Sequence, residues 1–261
     1  MLIFRAFSNA SICSIESSAS GFSTPKTTKY GESSLSVLIR IWQNEAMKHL
    51  RFADLPFAEQ RAAFKEIIRS YPELMDLLER ARSLSLTDQW IVSGAVYNNV
   101  WNYLTERPYM HGVKDVDVFY FDRSDLSYEA EDGVIKRADK AFAGCKPPVE
   151  VRNQARVHLW YKEHFGEDYA ALTSSKEGID RFASVTHAVG VRLDEAGEIE
   201  VYAPFGLNEI FSFRVTPNYV LNNAKTHAEK GARAKLNWPE ITVMPWDEEE
   251  LDFQVERQQA V

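Results

Sequence analysis

The chain has 261 residues, 45% of them hydrophobic and 12% aromatic, which excludes a mostly disordered protein and allows one large packed domain or two small ones. Its formal charge of −8 argues against a broad surface for nucleic-acid backbones. Cys13 and Cys145 lie too far apart for a redox or metal spacing, and no apolar run is long enough for a membrane span. A reducing cytoplasm and no membrane partner are therefore expected.

Residues 1–46 are rich in Ser, with Gly, Thr and Pro, and read as a disordered extension. Their short apolar stretch is interrupted by Arg5, Ser8 and Asn9, a poor secretory signal. Met47 is an alternative translation start, and Leu35–Trp42 is apolar enough for a short element. Residues 47–261 read as a single domain, with a core over about 88–161 and a C-terminal addition over about 162–245. FAEQRAAFKEIIRSYPELMDLLERARSL predicts two helices broken at Ser70-Tyr71-Pro72, with Pro72 in the first turn of the second. Trp90–Val92 predicts a strand, Gly94 a turn, and AVYNNVWNYLT an amphipathic helix. After a loop, DVDVFYFD predicts a strand and SYEAEDGVIKRADKAFAG a helix opened by Ser127 and closed by Gly144. Pro147-Pro148 then leads into an expected long strand, VEVRNQARVHLWY. A capped helix from Ser174, a hairpin turning at Glu195–Gly197, and helices over LNEIFSFRV and NYVLNNAKTHAEKGARAKL complete the pattern. The fold class expected is α/β (α+β): a mixed β-sheet core flanked by helices, with helical additions at both ends.

The chemistry-bearing residues fall between Trp90 and Trp160. Asp115 and Asp117 are two apart on a strand, so they share a face, with Cα atoms about 6.6 Å apart. Two carboxylates on one face repel each other, and a hard divalent cation, Mg²⁺ or Mn²⁺, removes that cost. An exposed strand edge would carry the same pair. In VEVRNQARVH the even positions are Glu150, Arg152, Gln154, Arg156 and His158, a polar face opposite an apolar one. If this strand lies beside the first, Glu150 completes a three-carboxylate cluster able to hold two metals for an in-line displacement. Ser93-Gly94, between strand and helix, has the form of a phosphate-binding turn, where glycine admits close approach. A glycine needed only for conformation is the alternative. Arg152 and Arg156 are candidate triphosphate contacts, and Asn98 and Asn99 are candidates for sugar or phosphate. Lys114 ranks below them. Glu200 is second choice for third carboxylate. His111, His158 and His164 read as ordinary surface histidines, and Trp101, Trp160, Tyr202 and Phe205 as core.

The order Ser93-Gly94, Asp115-x-Asp117, Glu150 resembles the polymerase-beta-type nucleotidyltransferase superfamily. The runs IVSGAVYNNVWNYLT, KDVDVFYFD, VEVRNQARVHLWY and IEVYAPFG resemble a bacterial family labelled "nucleotidyltransferase family protein", over most of residues 47–240. That resemblance implies a mixed-sheet core, metal ligation by Asp115, Asp117 and Glu150, and metal-dependent transfer of a nucleoside monophosphate from a nucleoside triphosphate. Two features depart from it: Ala95 stands where a second Gly or Ser is usual, and the spacer from Gly94 to Asp115 is longer. Without a basic run, the acceptor is expected to be a small molecule or a protein hydroxyl rather than a generic polynucleotide. A non-catalytic nucleotide- or partner-binding module is the alternative, favoured by Ala95 and the spacer. A sugar-nucleotide glycosyltransferase would need a larger nucleotide-binding half ahead of the Asp-x-Asp motif.

Overall fold

The computed structural model describes residues 47–166 and 168–251. The expected extension over 1–46, with Leu35–Trp42, lies outside the described residues. Helices α1 (Phe57–Arg69) and α2 (Pro72–Ser83) come first, with Pro72 at the start of α2. They bury Phe64, Ile67, Ile68, Leu74, Leu77 and Leu78 as one apolar stripe on each helix. Strand β1 (Trp90–Val92) runs into α3 (Gly94–Leu104), and β2 (Val116–Tyr120) follows. Helix α4 (Tyr128–Ala141) is capped by the Ser127 hydroxyl, which accepts from the Ala130 amide at 3.2 Å. It leads to β3 (Val149–Asn153).

The expected long strand from Pro148 ends at Asn153. A 3₁₀ turn (Gln154–Arg156) and α5 (Val157–Phe165) follow. The physical reason is local: Asn153 Oδ1 accepts from the Ala155 amide at 3.1 Å and from the Asp122 amide at 3.0 Å, turning the chain out of the sheet. Beyond lie α6 (Ser175–Asp180), β4 (Gly190–Leu193) and β5 (Ile199–Tyr202). The Ser174 hydroxyl caps α6, and Glu177 reaches back to the Thr173 amide. The hairpin closes as expected, with the Gly197 amide donating to Asp194. LNEIFSFRV is a helix only in its first part, α7 (Asn208–Phe211). Arg214–Val215 is β6, paired with β7 (Thr242–Val243). The last long helix is α8 (Ala224–Asn237), shorter than the sequence pattern suggested.

The main sheet is mixed, in the order β3-β2-β1-β4-β5, with β2 and β3 parallel and the other pairs antiparallel. Its register sorts residues onto two faces. One face carries Val116, Val118, Ile91, Val151 and Val191, all buried against the helical layer with Val96, Val100 and Trp101 of α3. The opposite face carries Glu150, Asp117, Val92, Gly190 and Tyr202 in one row, and Arg152, Phe119 and Trp90 in the next. Ile179 and Ala188, from the segments after α5, cover its centre. Among the described residues no helix is long and apolar enough to cross a membrane.

The long spacer between α3 and β2 is pinned from within. Asn99 Oδ1 accepts from the Met110 amide at 2.8 Å, and Asn102 Nδ2 donates to the His111 carbonyl at 3.1 Å. Trp238 Nε1 donates to Asn102 Oδ1 at 3.0 Å. Gly112 has a φ of 72°, and a Cβ there would sit 2.5 Å from the Trp238 ring. Gly112→Ala should therefore cost about 2–4 kcal/mol, combining a left-handed backbone with overpacking. Urea unfolding measures this, and a loss well under 1 kcal/mol would show that the loop is not held against Trp238.

Candidate active site

Parallel pairing of β2 with β3 sets Asp117 directly opposite Glu150. Adjacent strands are about 4.8 Å apart, so these carboxylates are neighbours across the sheet. Asp115 stands one residue before β2. Burial pushes the Asp117 carboxyl up to about 6, and the charges of Asp115 and Glu150 push the same way, opposed by Lys230 and Arg152. Asp115 and Glu150 thus both act on Asp117. Glu150 is exposed and pairs with Arg152 at 3.0 Å. Such an exposed pair is worth at most about 1 kcal/mol and yields readily to a stronger cation.

Among the described residues no three His, Cys, Asp or Glu side chains converge as a ready-made ion cage. The donor set nevertheless suits a hard cation. Mg²⁺ is held by one or two carboxylates together with substrate phosphates, seldom by an all-protein cage. The mutual strain registered at Asp117 is what such an ion relieves.

Ser93-Gly94 lies at the end of β1, the neighbour of β2 on its other side. Ser93 adopts φ 55° and ψ −123°, a strained conformation for a residue with a side chain. Its amide donates to the Val189 carbonyl at 2.9 Å. Gly94 has no positive φ, and a Cβ built there meets nothing closer than Asn98 Nδ2 at 3.5 Å. Conformation therefore does not require this glycine, which leaves the open approach to the α3 N-terminus as its distinguishing property. The first amides of α3 have no intrahelical acceptor. Asn98 is not a solvated surface residue: it is 6% exposed, and its Oδ1 has no hydrogen-bond partner. Asn99 is fully buried in the spacer network described above.

Arg156 does not share the Glu150 face. It sits in the 3₁₀ turn, where Glu131 pairs with it and the Leu126 carbonyl accepts from its Nε at 3.0 Å. It ties the start of α4 to α5 and is not poised for phosphate. Glu200 lies on β5, at the far edge of the sheet, paired with Arg192 at 2.6 Å. His111 lies 3.4 Å from the Asn237 carbonyl and edge-on to Trp238, a packing role. Lys114 is exposed. Trp101 is core as expected, but Trp160 and Phe205 are each 42% exposed.

The sequence reading missed Lys230. Burial lowers its ammonium, with Arg233 adding to this, while Asp117 and Asp115 oppose it. No ion pair neutralises Lys230 among the described residues. The available signal was the spacing of Lys230 and Arg233, three apart on a helix and therefore on one side of it. Close by, His187 is fully buried with neither ring nitrogen bonded, stacked 5.0 Å from Tyr97. Burial, then Lys230, His227 and Arg233, hold it well below the usual histidine range and hence neutral.

A glycine-opened helix end, an Asp-x-Asp strand and a neighbouring acidic strand on one mixed sheet define a nucleotidyl-transferring fold. A nucleotidyltransferase family model matches residues 79–243, more than half of the chain, and the chain belongs to that family. A solution structure described as revealing "a CCA-adding enzyme head domain" is 28% identical, with a TM-score of 0.58, covering 70% of this chain and 95% of its own. No curated protein matches the chain.

The raised Asp117 carboxyl gives a pH signature. Its ordinary value is 3.8 and its folded value about 6. Protonated Asp117 favours the fold fully below 3.8, and that contribution is lost as pH rises through about 6. Asp117→Asn cannot ionise, so in metal-free buffer it should gain on the wild type between pH 4 and pH 7, by up to about 3 kcal/mol. Thermal melts across that range check this, and an equal difference at both ends would refute the carboxylate crowding.

Proposed function

We propose that the protein is a metal-dependent nucleotidyltransferase that moves a nucleoside monophosphate from a nucleoside triphosphate to a hydroxyl on a small-molecule or protein acceptor. The observation that carries this is Asp117 facing Glu150 across β2 and β3, with the open α3 N-terminus on the next strand. The amides of Gly94 and Ala95, with the Asn98 carboxamide, bind and orient the phosphates. Lys230 adds a positive charge beside the two aspartates, which opposes the charge of the triphosphate. Asp115, Asp117 and Glu150 would hold Mg²⁺ or Mn²⁺. Bound there, the ion supplies charge neutralisation and lowers the pKa of the acceptor hydroxyl. Glu150 or Asp117 takes the acceptor proton as pyrophosphate leaves.

Four observations bear on rival readings. The CCA-adding description of the structural neighbour favours a polynucleotide acceptor. The net charge of −8 favours a small or protein one. Ala95 favours a binding module without catalysis, while the crowding of Asp117 by Asp115 and Glu150 favours a working metal site.

Gly94→Ala separates phosphate binding from folding. A helix-terminal Gly→Ala change should leave stability unchanged or raised by up to about 1 kcal/mol. Binding of Mg²⁺ and a non-hydrolysable triphosphate should weaken at least tenfold, and Lys230→Ala should weaken it severalfold. Titration calorimetry reads both. Full affinity in Gly94→Ala would remove the phosphate turn from the site. Incubation with α-labelled nucleotides should release pyrophosphate with the wild type and not with Asp115→Ala. No turnover with any acceptor pool would favour the binding module, and salt-sensitive labelling of RNA or DNA would favour the polynucleotide reading.

A further inference from the structure

A cavity of about 480 Å³ opens between β3, α4 and α5, and Asp117 and Glu150 form part of its wall. It lies on the β3 side of Asp117, whereas Ser93-Gly94 lies on the β1 side. That placement matters for the reaction. In a nucleotidyl transfer the attacking and leaving oxygens stand on opposite sides of the α-phosphorus. With the phosphates drawn toward the α3 N-terminus, the attacking hydroxyl arrives from the β3 side. The cavity occupies that side.

Its lining narrows the acceptor. Tyr128 is 67% exposed and Trp160 42% exposed, and both line the cavity together with Phe119. Flat aromatic faces at an opening stack planar bases and the apolar faces of sugar rings. The volume lies in the range of small-ligand sites, too small for a run of nucleotides. The charges disfavour a polyanion. Glu131, Glu150 and Asp117 line the cavity, and Arg152, the one Lys or Arg among the lining residues, is engaged by Glu150. Nothing there would hold successive phosphates.

We propose that this cavity is the acceptor subsite and takes a single neutral ring bearing a hydroxyl, of sugar or nucleoside size. The proposal rests on the nucleotidyltransferase reading above. The acceptor oxygen forms a bond to the α-phosphorus, and the bond from that phosphorus to the bridging oxygen breaks. Pyrophosphate leaves with the electron pair, and the hydroxyl proton passes to Asp117 or Glu150 and then to solvent. The product is the phosphodiester of the ring alcohol.

The test uses saturation-transfer NMR with adenosine and methyl glucoside as probes. The protein is first saturated with Mg²⁺ and a non-hydrolysable ATP or GTP analogue, so that the nucleotide site is filled. At least one probe should still receive saturation. That signal should fall at least fivefold in Trp160→Ala, a half-exposed position whose melting temperature should barely change, and should persist in Gly94→Ala. Loss of probe signal on adding the analogue would make the cavity the nucleotide's own base pocket and overturn the proposal. So would silence from both probes while the analogue binds, or full signal in Trp160→Ala. Displacement of the probes by micromolar single-stranded RNA would assign the cavity to a polynucleotide end and overturn the small-acceptor claim. If the analogue itself fails to bind, the nucleotidyltransferase reading fails first and the acceptor assignment falls with it.

Discussion

The repulsion among Asp115, Asp117 and Glu150 is the constraint around which the rest of the site is arranged. Strand pairing forces Asp117 beside Glu150, and burial raises the cost of charging Asp117 at all. Fold stability alone does not favour such an arrangement, because an apolar or amide side chain would sit there more easily. It becomes favourable only when positive charge arrives. Lys230 and Arg152 supply part of that charge from the protein. A divalent ion brought in with its nucleotide supplies the rest in the proposed mechanism.

The scaffold isolates this strain on one face of the sheet. The opposite face is largely apolar and packed on α3 and its neighbours, and on the carboxylate side Trp90 and Val92 of β1 are buried with Ile179 and Ala188. Ser93 adds a second local cost at the β1–α3 junction, where its backbone is strained and its amide is anchored to Val189. The buried Asn99–Asn102–Trp238 network fixes the spacer leading to Asp115. The extra length of that spacer is thus ordered structure, tied at its far end to the chain after α8, rather than slack ahead of the aspartates. The same C-terminal region carries Lys230, whose charge acts on Asp117 and Asp115.

Much of the local structure was legible because its causes are local. Pro72 starting α2, the Ser127 and Ser174 caps, the Asp194–Glu198 turn and the alternation in β2 each depend on a few adjacent residues. One failure bears directly on the site. In VEVRNQARVH, period-two alternation continues past the point where the strand stops. Asn153 ends it with side-chain bonds to residues on both sides in the chain, one of them Asp122, far away in sequence. That misreading put Arg156 on the strand face of Glu150, whereas it sits in the 3₁₀ turn paired with Glu131.

The sequence by itself determined which strand carries the aspartates, which turn precedes a helix, and that the chain has the parts of a nucleotidyl-transferring core. The first two follow from periodicity and turn chemistry, whose energies are settled within a few residues, and the third from the resemblance carried by Ser93-Gly94, Asp115-x-Asp117 and Glu150. Only the tertiary structure decided that Glu150 faces Asp117, that Arg156 is taken by Glu131, and that Lys230 reaches the carboxylates from more than a hundred residues away. It also decided that Gly94 is not a conformational necessity, since that depends on what surrounds its absent side chain. Each of these turns on the balance of charge and space between distant segments. No spacing along the chain encodes that balance, because it exists only once the sheet has paired and the C-terminal helix has packed across it.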